Sequence, residues 1–194
     1  MRSTDTAVFM REALRFPVST ASVVPSSGRL SEALIRPIDF GRARTIVELG
    51  PGTGPVTRHL LGRLHPAARI IAIEMNAVFA SRLPDGIGDK RLTVVHGRAE
   101  RMRDTLSRLS VSRVDAVVSS LGFTVMSERQ RTVILDQIRE ALVEDGVFSQ
   151  FQYLTSLLRF DARRLLEARF RSVSHSLVMR NLPPACVSVC RRPN

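Results

Sequence analysis

The sequence predicts a single α/β domain built on a mostly parallel sheet, and three observations carry that reading. Short apolar runs rich in Val and Ile alternate with helix-length amphipathic segments along the chain. The run Ile70-Ile71-Ala72-Ile73 is apolar at every position, as a strand covered on both faces requires. Finally, Ile46-Val47-Glu48-Leu49 leads directly into Gly50-Pro51-Gly52-Thr53-Gly54 and then a helix-compatible stretch, the strand, turn and helix unit of a wound sheet. With 194 residues, 44% of them hydrophobic, the chain suffices for one well-cored domain and is short for two.

Taken in order, Thr4, Asp5 and Thr6 offer an N-cap for a helix from about Ala7 to Phe16, which Pro17 ends. Phe9, Met10, Ala13, Leu14 and Phe16 share one face of it, with Arg11, Glu12 and Arg15 opposite. Such a helix can lie in a membrane interface, and it can equally pack on the core or lid a site. Val18 to Gly28 is a Ser/Thr-rich loop whose hydroxyls, Ser26 among them, can supply ligands, and a helix from about Arg29 to Arg36 follows. Residues 1–40 are therefore expected as a membrane-facing or lid-forming unit, and 41–194 as the core.

Arg44 to Gly50 reads as the first strand, and Pro55, harmless in a first helical turn, opens a helix to about Leu64. Arg69 to Ile73 is the second strand, ending in Glu74; a helix near Asn76 to Leu83 gives way to a loop from Pro84 to Asp89. Leu92 to Val95 and Val114 to Ser119 are the third and fourth strands. Glu128 to Leu142 is an amphipathic helix ended by a Glu144-Asp145-Gly146 turn, and Val147 to Tyr153 is the fifth strand. Its alternation is ambiguous: Phe148, Gln150 and Gln152 face Val147, Ser149, Phe151 and Tyr153. Asp161 to Arg169 is helical, and Ser172 to Met179 and a strand through Cys190 form an antiparallel hairpin around the loop Arg180 to Ala185. No internal repeat or low-complexity tract is present.

The net charge of +11 points to an anionic partner, nucleic acid or membrane surface. Arginine supplies nearly all of it, Lys90 being the one lysine, and no basic tract stands out. Cys186 and Cys190, four strand positions apart, lie roughly 13 Å from one another, beyond the ~7 Å a disulfide spans. Reduced core cysteines fit a cytoplasmic location. No stretch approaches the ~20 apolar residues of a membrane-spanning helix, so any membrane contact is expected to be peripheral, on the inner face. No metal is expected.

The glycine turn concentrates the chemistry. Glycine lets backbone approach a ligand closely, with the free N–H groups of the next helix pointing at it. A dinucleotide fingerprint is GxGxxG, whereas here the third glycine comes one residue early. Glu48, two residues before Gly50, is an odd neighbour for a pyrophosphate and suits a ligand with an ammonium or sulfonium. Glu74, roughly twenty residues beyond the turn, is where an acidic side chain accepts ribose hydroxyls. The loop after the fourth strand, Ser119 to Phe123, faces the same point if the first and fourth strands flank the topological switch.

The Glu48-Leu49-Gly50-Pro51-Gly52-Thr53-Gly54 pattern resembles motif I of class I S-adenosylmethionine-dependent methyltransferases. Together with Phe16-Pro17 to Val24-Pro25-Ser26-Ser27, Val117 to Leu121, the strand ending at Tyr153, and Arg180-Asn181-Leu182-Pro183-Pro184-Ala185, the chain resembles bacterial phospholipid N-methyltransferases. These are the phosphatidylethanolamine-methylating type related to rRNA adenine dimethyltransferases. The resemblance implies a Rossmann-like seven-stranded sheet with an antiparallel last strand near one edge, and S-adenosyl-L-methionine as cofactor.

It further implies cofactor contacts from Glu48, Gly50, Pro51, Gly52, Thr53, Gly54, Glu74 and Met75, from Arg98, Ala99 and Glu100 around the adenine, and from Ser119 and Ser26. Arg98 stands where the family usually has Asp, and Leu121-Gly122-Phe123 replaces the usual Leu-Pro pair. Leu121, Gly122, Phe123, Arg180 and Asn181 are the expected acceptor contacts; main-chain carbonyls of Ser119 and Ser120 would orient the amine, with Tyr153 lining the pocket. Three acceptors stay open: a lipid headgroup amine, a small soluble amine, and rRNA adenine.

Overall fold

The computed structural model describes residues 27–157 and 162–192. The helix expected over 7–16, the loop through Ser26 and the start of the helix expected from Asp161 lie outside the described residues. The elements run α1 (Gly28–Ile35), β1 (Thr45–Leu49), α2 (Pro55–Arg63), β2 (Arg69–Glu74), α3 (Ala77–Ile87) and β3 (Leu92–His96). After a 3-10 turn at Ala99–Arg101 come α4 (Met102–Arg108) and β4 (Val114–Ser119). A second such turn at Phe123–Val125 leads to α5 (Glu128–Ala141), β5 (Leu142–Tyr153), α6 (Leu154–Leu157), α7 (Arg163–Glu167), β6 (Ser172–Val178) and β7 (Ala185–Arg191).

The seven strands form one sheet in the order β3-β2-β1-β4-β5-β7-β6. Strands β1 to β5 pair in parallel, and β7 lies antiparallel between β5 and β6. The strand order reverses between β1 and β4, so a crevice opens at their carboxyl ends.

Apolar side chains cover both faces. On one, Val47, Val117 and Phe148 meet Met102 and Leu106 of α4, Ile134, Leu135 and Ile138 of α5, and Leu166 of α7. On the other, Ile46, Ile70 and Val118 meet Leu30 and Leu34 of α1 and Val56 and Leu60 of α2. This resolves the ambiguous alternation of β5: Phe148 joins the first core, while Val147 and Phe151 join the second. A strand buried on both sides has no polar face to read. The Ser149 hydroxyl donates to the Leu34 carbonyl at 2.7 Å, fastening α1 to the sheet.

Four elements differ from the sequence reading. Helix α3 runs through Pro84 to Ile87, instead of stopping at Leu83, and ends at Gly88, whose φ of 68° and N–H to the Pro84 carbonyl form a left-handed cap. Proline forfeits one helical hydrogen bond, and the apolar contact of Ile87 with the second core offsets that loss. Strand β5 begins at Leu142, paired with Val114; the expected turn is an irregularity inside the strand, with Asp145 at φ 63°, before pairing resumes at Val147 and Ala116. Helices α4 and α6 escaped the sequence reading, their seven and four residues falling short of the roughly 11-residue window in which helical periodicity is read.

Candidate active site

The glycine turn takes a shape that its sequence permits without strain: Gly50, Gly52 and Gly54 have φ of 71°, 57° and 81°. The Gly50 N–H donates to the Ile73 carbonyl at 2.9 Å, tying the turn to β2, and Gly54 N–H closes it on the Pro51 carbonyl at 2.9 Å. A Cβ built on Gly50 would stand 2.9 Å from Leu121 Cδ2, so the loop after β4 rests directly on this turn. A Cβ on Gly52 would meet nothing within 4 Å, so the inner side of the turn stays clear of protein. Pro51 and Thr53 stand between these glycines in the same turn.

Two carboxylates back the turn. Glu74, nearly buried at the end of β2, accepts the Gly52 N–H at 3.0 Å on Oε2 and the Asn76 N–H at 2.8 Å on Oε1. Burial raises its pKa, and those backbone donors offset part of the rise. Each oxygen keeps a further lone pair for an incoming hydroxyl. Glu48 is fully buried on β1, and neither of its oxygens has a hydrogen-bond partner. Desolvation drives its pKa to about 8, with the Glu74 charge adding to the rise and Thr57 opposing it. The Thr57 hydroxyl, the neighbour that opposes the rise, is itself buried and unpartnered. An unsatisfied buried carboxyl seeks a donor or a cation.

Around the crevice, Met75 is exposed after β2, and its carbonyl meets His96 Nε2 at 3.1 Å, giving that histidine a structural role. Arg98, Ala99 and Glu100 follow β3; Arg98 pairs with Glu100 at 3.0 Å, and Gln130 Nε2 donates to the same Glu100 oxygen at 3.1 Å. Glu100, an acidic side chain near the carboxyl end of β3, is thus already engaged by Arg98 and Gln130.

The loop after β4 completes the site. Ser119 is buried between Leu49 and Gln150, and its Oγ accepts the Leu121 N–H at 3.2 Å. The Ser120 N–H donates to the Leu49 carbonyl at 2.9 Å, and its buried hydroxyl has no partner. Ser120, Leu121, Gly122, Phe123 and Tyr153 line a cavity of about 350 Å³ at the ends of β4 and β5. The remaining walls are Thr124, Val125, Phe151, Gln152, Thr155 and Ser156, which sequence reasoning did not place there. Gln152 carried the available signal, since a buried amide in an apolar strand needs a partner; here its Nε2 reaches Thr124 Oγ1 at 3.3 Å. Every described lining residue is uncharged.

Of the other expected contacts, Asn181 has its side chain engaged: Oδ1 accepts from the Ser27 hydroxyl at 2.5 Å, and Nδ2 donates to the Pro183 carbonyl at 2.6 Å. Arg180 is exposed beside it, and Ser26 lies outside the described residues. Cys186 and Cys190 are free thiols, and burial pushes Cys190 up to about 12. Among the described residues no group of three His, Cys, Asp or Glu gathers as a metal site, and no helix is long and apolar enough to cross a membrane.

A parallel sheet with β7 slotted antiparallel before its edge strand, and an acid-led glycine turn at its switch point, define a class I S-adenosyl-L-methionine-dependent methyltransferase. The family described as a methyltransferase domain matches residues 46–146, more than half of the chain, and the protein belongs to that family. An ornithine lipid N-methyltransferase from Singulisphaera acidiphila is 30% identical over 188 residues, covering 96% of each chain. The ribosomal RNA small subunit methyltransferase A of Acidobacterium capsulatum is 35% identical over 150 residues, 69% of this chain but half of that protein. Among solved structures, an O-methyltransferase from Bacillus cereus in complex with SAH superposes with a TM-score of 0.67 at 14% identity, over 98% of this chain and 92% of that one.

The residues present fit the cofactor. The clear inner side of Gly52 admits close approach, Glu74 has acceptor capacity left, and the orphaned Glu48 carboxyl suits a cationic neighbour. When bound, S-adenosylmethionine supplies a methyl group on an activated sulfonium.

Proposed function

We propose that the protein methylates the primary amine of a lipid headgroup, ornithine lipid or phosphatidylethanolamine, at a membrane surface. The observation that carries this reading is the end-to-end similarity to an ornithine lipid N-methyltransferase, 96% of both chains. The rRNA enzyme, by contrast, is matched over half its length. In this reading Glu48, Gly50, Pro51, Gly52, Thr53, Gly54, Glu74, Met75, Ser119 and Ser26 hold the cofactor, with Arg98, Ala99 and Glu100 near its base.

The chemistry of the cavity supports an amine acceptor. In-line methyl transfer depends mostly on alignment, which supplies roughly 7 to 11 kcal/mol of barrier reduction. A primary ammonium of lysine-like pKa must first lose its proton, at about 4 to 5 kcal/mol at pH 7. An uncharged lining penalises the ammonium and favours the free amine, so the desolvated pocket does part of a general base's work. Main-chain carbonyls of Ser119 and Ser120 orient the nitrogen, Tyr153, set edge-on against Phe151 at 5.2 Å, walls the pocket, and Leu121, Gly122, Phe123, Arg180 and Asn181 contact the acceptor or brace its walls.

Mass spectrometry of purified enzyme offered labelled S-adenosylmethionine with amino-lipid vesicles, rRNA and small soluble amines tests the assignment. Label in the lipid amine is expected. Label confined to adenine would establish the rRNA reading, which the +11 charge favours, and label confined to the small amines would establish a soluble acceptor.

A further inference from the structure

We infer that the turn between β6 and β7 is a docking wedge that seats the protein on an anionic lipid bilayer beside the acceptor cavity. The identity of the surface rests on the lipid-acceptor reading; the wedge itself rests on where the chain exposes apolar side chains. Among the described residues, the exposed large hydrophobics are Met75, Val125, Leu177, Met179 and Leu182. All five sit at the carboxyl end of the sheet: Met75 follows β2, Val125 lies in the turn after β4, and the other three cap the hairpin. Three of them crowd into six residues, exposed by 62%, 61% and 86%.

The hairpin loop inverts the usual partition of side chains. Asn181, the polar residue, is tucked inward with its amide held by Ser27 and Pro183, while its neighbour Leu182 is turned out. Exposed single apolar residues are ordinary, but a cluster rimming a site marks an interaction surface. The Pro184 carbonyl accepts the Leu154 N–H at 2.9 Å, so the loop is rigidly joined to the end of β5, where Tyr153 lines the cavity.

Three features select an anionic bilayer as the occupant. From Leu177 to Ala185 the only charge is Arg180, set between exposed Met179 and Leu182, in a chain of net charge +11. Arginine beside apolar anchors matches phosphate over acyl chain. The cavity adjoining the loop would receive the headgroup of the same surface. The described fold begins at Ser27, whose hydroxyl is bonded to Asn181, so the loop lies beside the point where the preceding chain joins the fold.

The test uses the full chain and vesicles of phosphatidylcholine with and without phosphatidylglycerol, scored by sedimentation and without methyl transfer. Wild type is expected to bind the anionic vesicles, and Met179→Asp/Leu182→Asp to bind at least tenfold more weakly, with Leu182→Ser intermediate. S-adenosylhomocysteine affinity and Tm should be unchanged, and transfer to a monomeric short-chain amino-lipid should persist. Unchanged vesicle binding would overturn the wedge, as would wild type that ignores the vesicles. A drop in Tm in both variants with vesicle binding intact would show that the chain's own amino-terminal segment covers the loop, and would also overturn it. Wild type that docks through the wedge yet methylates no lipid would remove the lipid-acceptor reading and leave the docking surface standing.

Discussion

Replacing Glu48 by glutamine should make the protein's stability respond less to pH, with a size set by the burial of this side chain. The carboxyl ionises near 4.5 when exposed and near 8 in the fold. Its raised folded value means that the stability contributed by the neutral form is full below pH 4.5 and is lost as pH rises through about 8. Each pH unit in that window removes about 1.4 kcal/mol. At pH 7 the accumulated loss approaches 3 kcal/mol, and above pH 8 it levels near 5, as upper values before local relaxation. Glutamine has no proton to lose and keeps the same shape, so it contributes a constant offset and none of the slope. Urea titrations of both proteins at pH 5, 6, 7 and 8 give the comparison. The variant should gain on wild type by about 2 to 4 kcal/mol between pH 5 and 8. A difference that stays flat across this range would refute the reasoning, because it would mean that Glu48 is ionised throughout and has found a counter-charge.

Gly52→Ala and Gly50→Ala should separate donor from acceptor effects. The first places its Cβ in clear space and costs about 1 to 2 kcal/mol for a left-handed backbone, so Tm should fall modestly while S-adenosylhomocysteine affinity in calorimetry falls at least tenfold. The second drives its Cβ into Leu121, so the acceptor KM should rise as well as the cofactor Kd. Ser120→Ala removes a buried hydroxyl without a partner; a lower kcat with unchanged Tm would place that hydroxyl on the acceptor, and unchanged kcat would take it out of the site. Ser127 caps α5 in a reciprocal pair with Gln130, so Ser127→Ala should cost about 1 kcal/mol in a denaturant titration.

The glycine turn and the doubly covered strands were legible because each rests on a local rule, whereas the inserted last strand was legible only through the family resemblance. Three glycines in a row of alternate positions can be read as left-handed backbone, and a continuous apolar run as a doubly covered strand. The acceptor cavity was half legible. Ser120 to Phe123 follow a recognisable strand, but Thr155 and Ser156 line the cavity from α6, a four-residue helix directly after β5 that no local pattern announces. The state of Glu48 was hidden for a different reason. Its position in the motif is visible, whereas its complete desolvation depends on β1 lying inside the sheet, paired with β2 and with β4, which is about seventy residues away. Asn181 shows the same limit: the loop reads as a candidate contact, but the hydrogen bond to Ser27, 154 residues away in sequence, needs the fold.

The reversal of strand order between β1 and β4 also sorts the chain by ancestry of task. Everything proposed to grip the donor lies between Thr45 and Arg101, apart from Ser26 and Ser119, and nearly everything that shapes the acceptor cavity and its rim comes after Ser119. The two halves meet along the β1 and β4 pair, where Leu121 also rests over Gly50, and again where Gln130 and Gln137 of α5 reach Glu100. A lineage could therefore exchange its second half for another and inherit new substrates with the old cofactor, in the manner of a tool with interchangeable heads. Grafts that respect the β1 and β4 register should keep their handle.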